Sequence, residues 1–162
     1  MKRIILFLAA CIILLLPVMV FYTIPVLKVS GEDELEKVLY LQQENDFSIR
    51  WTHSVENEEW EEFFKVEEGQ IVLDSTRFKT FGAGVPSDTG EDTFIKDGWV
   101  YMTDIHQPIG MELVTRTGKT TDHRVIRGDE VQQMRASQSY RFTVEEANLL
   151  HAIGYYIATR MR

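Results

Sequence analysis

The chain has 162 residues, with 25 acidic and 17 basic side chains and a formal net charge of −8. This length allows one domain with a sizeable hydrophobic core in addition to an N-terminal segment. The acidic balance argues against nucleic acid as a partner, because phosphate binding requires a surplus of lysine and arginine. The single cysteine, Cys11, excludes a disulfide framework within the chain.

The N-terminal segment is basic at its start and apolar afterwards. Lys2 and Arg3 precede a run from Ile4 to Leu27 that has no charged side chain. A helix of about 20 apolar residues can cross a bilayer, and basic residues before it place the N-terminus in the cytoplasm. The pattern therefore predicts a transmembrane signal anchor over residues 1–28. The protein would then be a single-pass protein of the cell membrane, with its C-terminal domain on the extracytoplasmic side.

Two other interpretations of this segment stay open. A cleaved signal peptide fits the basic start, although its apolar stretch normally has only about 7–15 residues and Val29-Ser30-Gly31 is not a clear cleavage site. Lipoprotein processing would use Leu8-Ala9-Ala10-Cys11, but this sequence comes very early and the apolar run continues long after it. All three interpretations place the folded part on the same side of the membrane.

After an acidic linker, predicted over residues 29–36, polar and apolar residues alternate as they do in strands. Glu68-Gly69 and Asp97-Gly98 are typical of two-residue hairpin turns. The predicted strands are Lys37–Gln42, Phe47–Val55, Trp60–Val66, Ile71–Phe78, Thr93–Ile95, Trp99–Thr103, Met111–Arg116 and His123–Arg127. The sequence thus predicts a mainly β domain over residues 37–162, built as an antiparallel sheet or sandwich or as a partly closed barrel.

The period of the pattern changes near the C-terminus. Thr143 and Glu146 have the spacing of a capping box at the start of a helix. Apolar residues then recur at steps of three and four, including Leu150, Ile157 and Met161. This pattern predicts a C-terminal helix over residues 144–161, packed on the sheet.

A polar cluster follows from the predicted pairing of three central strands. A four-residue loop at 56–59 would place His53 opposite Glu62. A two-residue turn at Glu68-Gly69 would then place Glu62 opposite Ser75, and Trp60 opposite Arg77. The predicted cluster, which depends on this register, consists of His53, Trp60, Glu62, Ser75 and Arg77.

Three interpretations of this cluster are open. In the first it is a structural network, in which Glu62 accepts hydrogen bonds from its neighbours. In the second it is a ligand-binding rim, in which Arg77 and His53 bind a carboxylate and Glu62 orients them. In the third it is catalytic, but Glu62 would lie between His53 and Ser75, whereas a nucleophilic triad needs the histidine in the middle. We predict no catalytic residue, no metal ligand and no cofactor.

A glycine-containing segment follows the strand that carries Arg77. Gly82 and Gly84 flank a small residue, so the backbone there can come close to a ligand. The third glycine and the helix of a dinucleotide fingerprint are missing. The segment is then either a tight crossover between strands or part of a ligand site. Because it lies beside the cluster, we include Gly82 and Gly84 among the predicted ligand-binding residues.

Three short motifs resemble one known family, the domain of unknown function 1850. They lie at His53–Glu56, at Trp60 and Glu62, and at Phe81–Pro86. The resemblance covers Phe47 to Arg127. This sequence departs from the family pattern at Glu59, where a proline is usual. It implies a small bacterial protein that is membrane-anchored or exported. Members of that family are often encoded beside tripartite ATP-independent (TRAP) transporters of the TAXI type.

These observations predict an extracytoplasmic accessory or ligand-binding module. Its predicted partners are a membrane transporter subunit of the TAXI type, a small organic anion, and the membrane through the N-terminal helix. One alternative is a small membrane-tethered hydrolase that uses His53, Glu62 and Ser75. The other is a structural interaction domain that recognises its partner with an acidic face.

Overall fold

A computed structural model describes residues 2–32, 34–42, 44–80 and 90–160. In these ranges the chain forms two helices, α1 (Lys2–Phe21) and α2 (Leu149–Arg160), and twelve strands. The strands are β1 (Thr23–Gly31), β2 (Glu34–Tyr40), β3 (Asp46–Thr52), β4 (Glu59–Glu67), β5 (Gln70–Phe78), β6 (Asp92–Lys96), β7 (Trp99–Thr103), β8 (Gln107–Gly110), β9 (Glu112–Arg116), β10 (Arg124–Arg127), β11 (Glu130–Gln133) and β12 (Ser139–Asn148). The prediction of a mainly β fold with a C-terminal helix is confirmed.

The strands form two antiparallel sheets. The four-stranded sheet has the order β2-β1-β12-β9. The eight-stranded sheet has the order β11-β10-β3-β4-β5-β7-β6, with β8 also paired to β5. Within the described ranges neither sheet closes on itself, so the sandwich form of the prediction holds and the barrel form does not.

The main core lies between the two sheets. Phe47 of β3 stacks on Phe64 of β4 at 5.1 Å, and on Phe142 of β12 in the other sheet at 5.6 Å. Leu27 and Ile71 are fully buried in the same cluster. Each such side chain contributes about 1.5–3 kcal/mol by leaving water, so these contacts hold the two layers together.

Strand β1 occupies residues that the sequence assigned to the end of the anchor and to the linker. It lies between β2 and β12. Leu27 and Val29 are buried against the eight-stranded sheet, and Val26 is buried on the opposite face. Because β1 is covered on both faces, its first half is an uninterrupted apolar stretch, Ile24–Leu27, which resembles an extension of the apolar helix before it. The predicted boundaries at residues 28 and 36 therefore do not match the strand boundaries.

The C-terminal helix begins at Leu149, later than the predicted start at residue 144. Thr143 and Glu146, which have the spacing of a capping box, lie inside β12. Tyr140 and Phe142 of that strand are fully buried in the core. Burial of these aromatic side chains at a period of two outweighs the local helix signal.

Helix α2 packs on the outer face of the four-stranded sheet. Ala152 is buried there in a second cluster with Val26 and Val38. The Tyr40 hydroxyl donates a hydrogen bond to the Ala152 carbonyl at 2.9 Å. This contact satisfies a backbone acceptor of α2 and fixes the helix against β2.

Helix α1 exposes large apolar side chains. Ile13, Leu14 and Phe21 are 70%, 72% and 82% exposed. Among the helices of the described residues, none has the combined length and hydropathy of a membrane span.

Candidate functional site

The loop between β3 and β4 differs from the predicted four-residue loop. Residues 53–58 form a six-residue connection, so Thr52 pairs with Glu59. The His53 N–H donates to the Glu58 carbonyl at 2.8 Å, which closes the wider loop. The predicted pairing of His53 with Glu62 is therefore wrong, because Glu62 lies opposite Ile49.

The turn between β4 and β5 has the predicted conformation. The φ angle is 50° at Glu68 and 75° at Gly69, both in the left-handed region that a two-residue hairpin turn of this kind requires. Val66 pairs with Ile71 as predicted.

Further along the same hairpin the register shifts by one residue. A bulge at Asp74 leaves that residue without a residue directly opposite it on β4. Beyond the bulge Ser75 pairs with Phe63, and Arg77 pairs with Glu61. The predicted pairs of Ser75 with Glu62 and of Arg77 with Trp60 are therefore wrong, because one extra residue moves every later side chain to the other face.

The structure separates the predicted site residues. The His53 ring lies beyond the end of β3 and stacks on Trp60 at 5.8 Å. Glu62 shares the inward face of β4 with Trp60, whereas Ser75 and Arg77 belong to the outer face. In the described residues no hydrogen bond joins His53, Glu62 and Ser75 to one another. Gly82 and Gly84 lie outside the described residues.

A different constellation crosses the outer face of the eight-stranded sheet. Five residues on five neighbouring strands lie directly opposite one another, each paired with the next. We call them the outer row, and in order across β3, β4, β5, β7 and β6 they are Arg50, Glu61, Arg77, Tyr101 and Phe94. The row places a carboxylate between two guanidinium groups and ends in two aromatic rings.

Glu61 is the centre of the outer row and is only 1% exposed. One carboxylate oxygen, Oε1, accepts a hydrogen bond from the Ser48 hydroxyl at 2.6 Å. The other, Oε2, accepts from Arg50 Nε and Nη2 at 3.0 and 2.8 Å, and from Arg77 Nε and Nη2 at 2.8 and 2.5 Å. A buried carboxylate is costly unless it is paired, and this carboxylate is paired twice.

These partners decide the charge of Glu61. Burial alone would raise the pKa of its carboxyl group. Hydrogen bonds from Ser48, Arg50 and Arg77, together with the charge of Arg77, outweigh burial and lower the pKa below its usual value. Glu61 is therefore ionised at neutral pH, and it holds both guanidinium groups in place.

Three cations surround the indole of Trp99 beside the outer row. The Lys79 Nζ lies 4.1 Å from the ring centroid, and the Arg77 and Arg50 Cζ atoms lie at 4.4 and 5.9 Å. Cations within about 6 Å of an aromatic face are attracted to it. The Trp99 ring therefore packs against all three cations and connects the network to β7.

The aromatic end of the outer row is ordered by Arg77. The Arg77 Nη1 donates to the Tyr101 hydroxyl at 2.9 Å. Tyr101 in turn stacks on Phe94 with a centroid distance of 5.1 Å and an interplanar angle of 8°. Phe94 is 45% exposed, so an apolar surface continues from the charged centre to the edge of the sheet.

The charges around Trp99 do not cancel. Arg50, Arg77 and Lys79 supply three positive charges against the single negative charge of Glu61. Lys79 forms no ion pair within the described parts of the chain. A local surplus of two positive charges in a chain of net charge −8 favours an anionic ligand or partner.

A groove of about 280 Å³ adjoins the network on the side away from Trp99. Ser48, Glu61 and Phe63 contribute to its wall, together with the ion pair between Lys65 and Asp74. The groove combines aromatic side chains with a larger number of polar and charged groups, so it is more polar than a typical small-molecule site.

The inward face of the same sheet carries a stack of aromatic rings. His123 stacks on Trp51 at 5.6 Å, Trp51 on Trp60 at 5.5 Å, and Trp60 contacts Phe78 at 5.6 Å. Burial lowers the pKa of His123, more than its neighbour Asp122 raises it. The imidazole is therefore neutral at neutral pH, and the stack has the character of a core. Among the described residues no group of three or more potential metal ligands comes together.

The sequence analysis includes Arg77 in the site but misses most of its partners. Ser48 and Arg50 alternate with apolar residues on β3, which places both on the outer face. That alternation was the available signal, and the six-residue loop concealed which residues of β4 lie opposite.

A family model matches residues 47–134, which is more than half of the chain. The chain belongs to this family, described as a domain of unknown function (DUF1850). The resemblance found in the sequence is thereby confirmed. The DUF1850 region contains the outer row, whereas β1, β2 and β12 lie outside it. Searches of curated proteins and of solved structures gave no match.

Proposed function

We propose that the protein is an accessory module that binds a small organic anion on the outer face of the eight-stranded sheet. The observation that carries the proposal is the surplus of two positive charges around Trp99. The buried, ionised Glu61 holds two of the three cations, the guanidinium groups of Arg50 and Arg77, in place beside the ring. The predicted site residue Arg77 belongs to this surface. His53, Glu62 and Ser75 have no role in it.

The network is suited to anion binding because its cations are already ordered. Glu61 accepts from the Nε and Nη2 groups of both arginines. The Arg50 Nη1 has no acceptor within the described residues, so it can donate to a ligand together with the Lys79 ammonium group. Charge-assisted hydrogen bonds of this kind are the stronger ones, and ordering before binding lowers the entropy cost. The apolar part of the ligand would contact Trp99.

The proposal includes attachment to a membrane through α1 and association with a TAXI-type TRAP transporter. The uncharged sequence from Ile4 onward and the exposed apolar side chains of α1 support the attachment. The association with a transporter is what the resemblance to DUF1850 described above implies. In this proposal the anion-binding surface lies on the extracytoplasmic side, where it would present an anion to the transporter.

The anion-binding proposal is tested by NMR on the ¹⁵N-labelled full chain in detergent micelles. The chain has three tryptophans, and only Trp99 lies on the outer face, so its indole N–H signal reports the site separately from those of Trp51 and Trp60. Acetate, succinate and benzoate are the probes. We expect the Trp99 signal alone to shift in a saturable manner.

The matched variants are Lys79→Gln and Lys65→Gln. Each removes one positive charge from the same sheet, but Lys65 is paired with Asp74 at 2.6 Å and lies away from Trp99. We expect Lys79→Gln to abolish the saturable shift and Lys65→Gln to leave it unchanged. Equal shifts in both variants, or no shift in the unaltered protein, would refute an anion site at Trp99.

Membrane attachment is tested separately by alkaline extraction of cell membranes. The full chain should stay in the membrane fraction, whereas a variant with Ile13→Glu and Leu14→Glu should be released. Release of the unaltered chain would contradict attachment through α1 and would leave the anion site untouched.

A further inference from the structure

Strand β6 is an open edge of the eight-stranded sheet. All five of its residues are exposed, and Ile95 reaches 74%. In the ranges that the structure describes, β6 pairs only with β7, so its other edge has no strand partner. The opposite edge strand, β11, is instead held to β2 of the other sheet by the ion pair of Lys37 with Glu130 at 2.8 Å. An exposed edge that carries apolar side chains is a template for pairing with another strand.

The turn that joins β6 to β7 determines which backbone groups face the open edge. Asp97-Gly98 has φ angles of 51° and 73°, as in a two-residue hairpin turn. Both backbone groups of Lys96, the residue before this turn, are then bonded to β7. Because these bonds alternate along an antiparallel strand, the N–H and C=O groups of Thr93 and Ile95 point to the open edge.

Strand β6 carries opposite charges at its two ends. Asp92 is its first residue and Lys96 its last, and both share the outer face with Phe94 between them. When an identical strand pairs antiparallel with Phe94 opposite Phe94, Asp92 of each copy lies opposite Lys96 of the other. The strand is thus complementary in charge to a second copy of itself, whereas a uniformly acidic or basic segment would complement only one of its ends.

We propose that the chain forms a symmetric dimer, in which β6 pairs antiparallel with β6 of a second copy and the two-fold axis passes beside Phe94. Thr93 of each copy exchanges backbone hydrogen bonds with Ile95 of the other, which uses the groups that point outward. The two Phe94 side chains, each 45% exposed in the single chain, become neighbours on the outer face. The outer row then continues through both copies, and the stacked rings of Phe94 and Tyr101 from each copy meet at the axis. This inference does not depend on the anion site.

Two acidic residues flank the paired segment and oppose this contact. Glu91 and Asp97 lie directly outside β6, so Glu91 of each copy faces Asp97 of the other. Both residues are exposed, so water and salt screen their repulsion. Asp97→Asn removes the repulsion and keeps a residue that suits the turn, so it should tighten the dimer.

The dimer is measured by sedimentation equilibrium of the full chain in detergent micelles. We expect a concentration-dependent equilibrium between monomer and dimer. Asp92→Lys and Lys96→Asp each turn two attractive cross-strand pairs into repulsive ones, so each should weaken dimerisation about tenfold. A chain with both replacements again has opposite charges in an antiparallel pair, and it should dimerise like the unaltered chain. Asp129→Lys makes the same change of charge at an exposed turn beside β11 and should have no effect.

Cross-linking tests the register of the two strands. Cys11→Ser first removes the chain's own cysteine. In that background Phe94→Cys places two thiols directly opposite each other, with Cβ atoms ~5 Å apart, so oxidation should link two chains. Ile95→Cys is the control, because it lies opposite Thr93 of the other copy and too far from its own equivalent to form a disulfide.

Three results overturn the inference. The first is a chain that stays monomeric at every concentration up to its solubility limit. The second is a double charge variant that dimerises as weakly as the single ones, because antiparallel pairing of β6 requires recovery. The third is linking of Ile95→Cys that equals or exceeds that of Phe94→Cys, which would show a different contact between the copies.

Discussion

The replacement Arg77→Met tests the energetic role of the Glu61 network. Methionine keeps an unbranched side chain that can pack on Phe63 and Trp99, but it removes the two hydrogen bonds to Glu61 and the one to Tyr101. Breaking a buried ion pair by removing one partner costs about 3–5 kcal/mol. Because Ser48 and Arg50 still bind Glu61, we expect the lower end, a loss of about 3 kcal/mol in the free energy of unfolding at pH 7.

The same variant has a predicted pH dependence. The lowered pKa of Glu61 means that its ionised form stabilises the fold above the ordinary glutamate pKa of about 4.3, and that this contribution is lost as the pH falls through the lowered value. Without Arg77 the pKa of Glu61 should rise. The difference between variant and unaltered protein should therefore be largest at pH 7 and shrink below about pH 4.3.

The assay is urea unfolding followed by circular dichroism at pH 7 and at pH 3.5. The control is Arg141→Met, since Arg141 is 57% exposed and pairs with Glu112 at the surface. An exposed pair contributes about 0–1 kcal/mol, so this variant should be nearly neutral at both pH values. The reasoning is refuted if Arg77→Met costs less than about 1 kcal/mol at pH 7, or costs the same at both pH values.

Three further outcomes follow from single residues. Burial raises the pKa of Glu62, so its ionised form opposes folding above the ordinary glutamate pKa. Glu62→Gln should therefore stabilise the protein by about 1 kcal/mol at pH 7 and by nothing at pH 3.5, and destabilisation at pH 7 would contradict this. Thr76→Val removes the acceptor of the Trp60 Nε1 hydrogen bond at 2.7 Å, so urea unfolding should show a loss of about 1–3 kcal/mol, whereas Thr76→Ser should restore most of it. Gly69→Ala should cost about 1 kcal/mol through its positive φ alone, because no atom lies within 4 Å of the added Cβ, and a loss above about 3 kcal/mol would indicate a clash instead.

Local turn chemistry in the sequence predicts the β4–β5 hairpin correctly near its turn. A two-residue hairpin turn of this type needs a positive φ at both central residues, and Glu68 and Gly69 both adopt one. A glycine in such a pair therefore indicates the turn from the sequence alone. The bulge at Asp74 has no comparable signature, because any residue can be the extra one. Without the bulge Arg77 would lie opposite Trp60, so the sequence identifies Arg77 as a site residue but does not identify its partner Glu61.

The β3–β4 register could not be predicted because the loop length was ambiguous. Residues 53–58 contain two turn-forming side chains, Ser54 and Asn57, and Asn57 adopts a positive φ of 54°. A four-residue and a six-residue loop are both compatible with that composition. The choice is made by packing across the sandwich, where Phe47 and Phe64 meet Phe142 of the other sheet.

The two strands that the sequence analysis missed at the chain ends pair with each other. Thr23 lies opposite Asn148 and Gly31 opposite Tyr140, so β12 pairs with β1 along the whole length of β1. In β1 the apolar stretch Ile24–Leu27 continues the apolar run of α1 and conceals the strand, and in β12 the capping-box residues suggest a helix. In both cases burial between layers, which depends on the whole fold, decided the structure.

The junction of α1 with the sheet determines how freely the domain can move. Tyr22 alone separates the last residue of α1 from the first residue of β1, and its N–H still bonds to the Val18 carbonyl at 3.0 Å. A one-residue connection leaves little rotational freedom between α1 and β1. Anything that fixes the orientation of the helix therefore also fixes the orientation of both sheets. A force that pulls along α1 would act in shear on the hydrogen bonds that β1 makes with both β2 and β12, so these two ladders would have to break together.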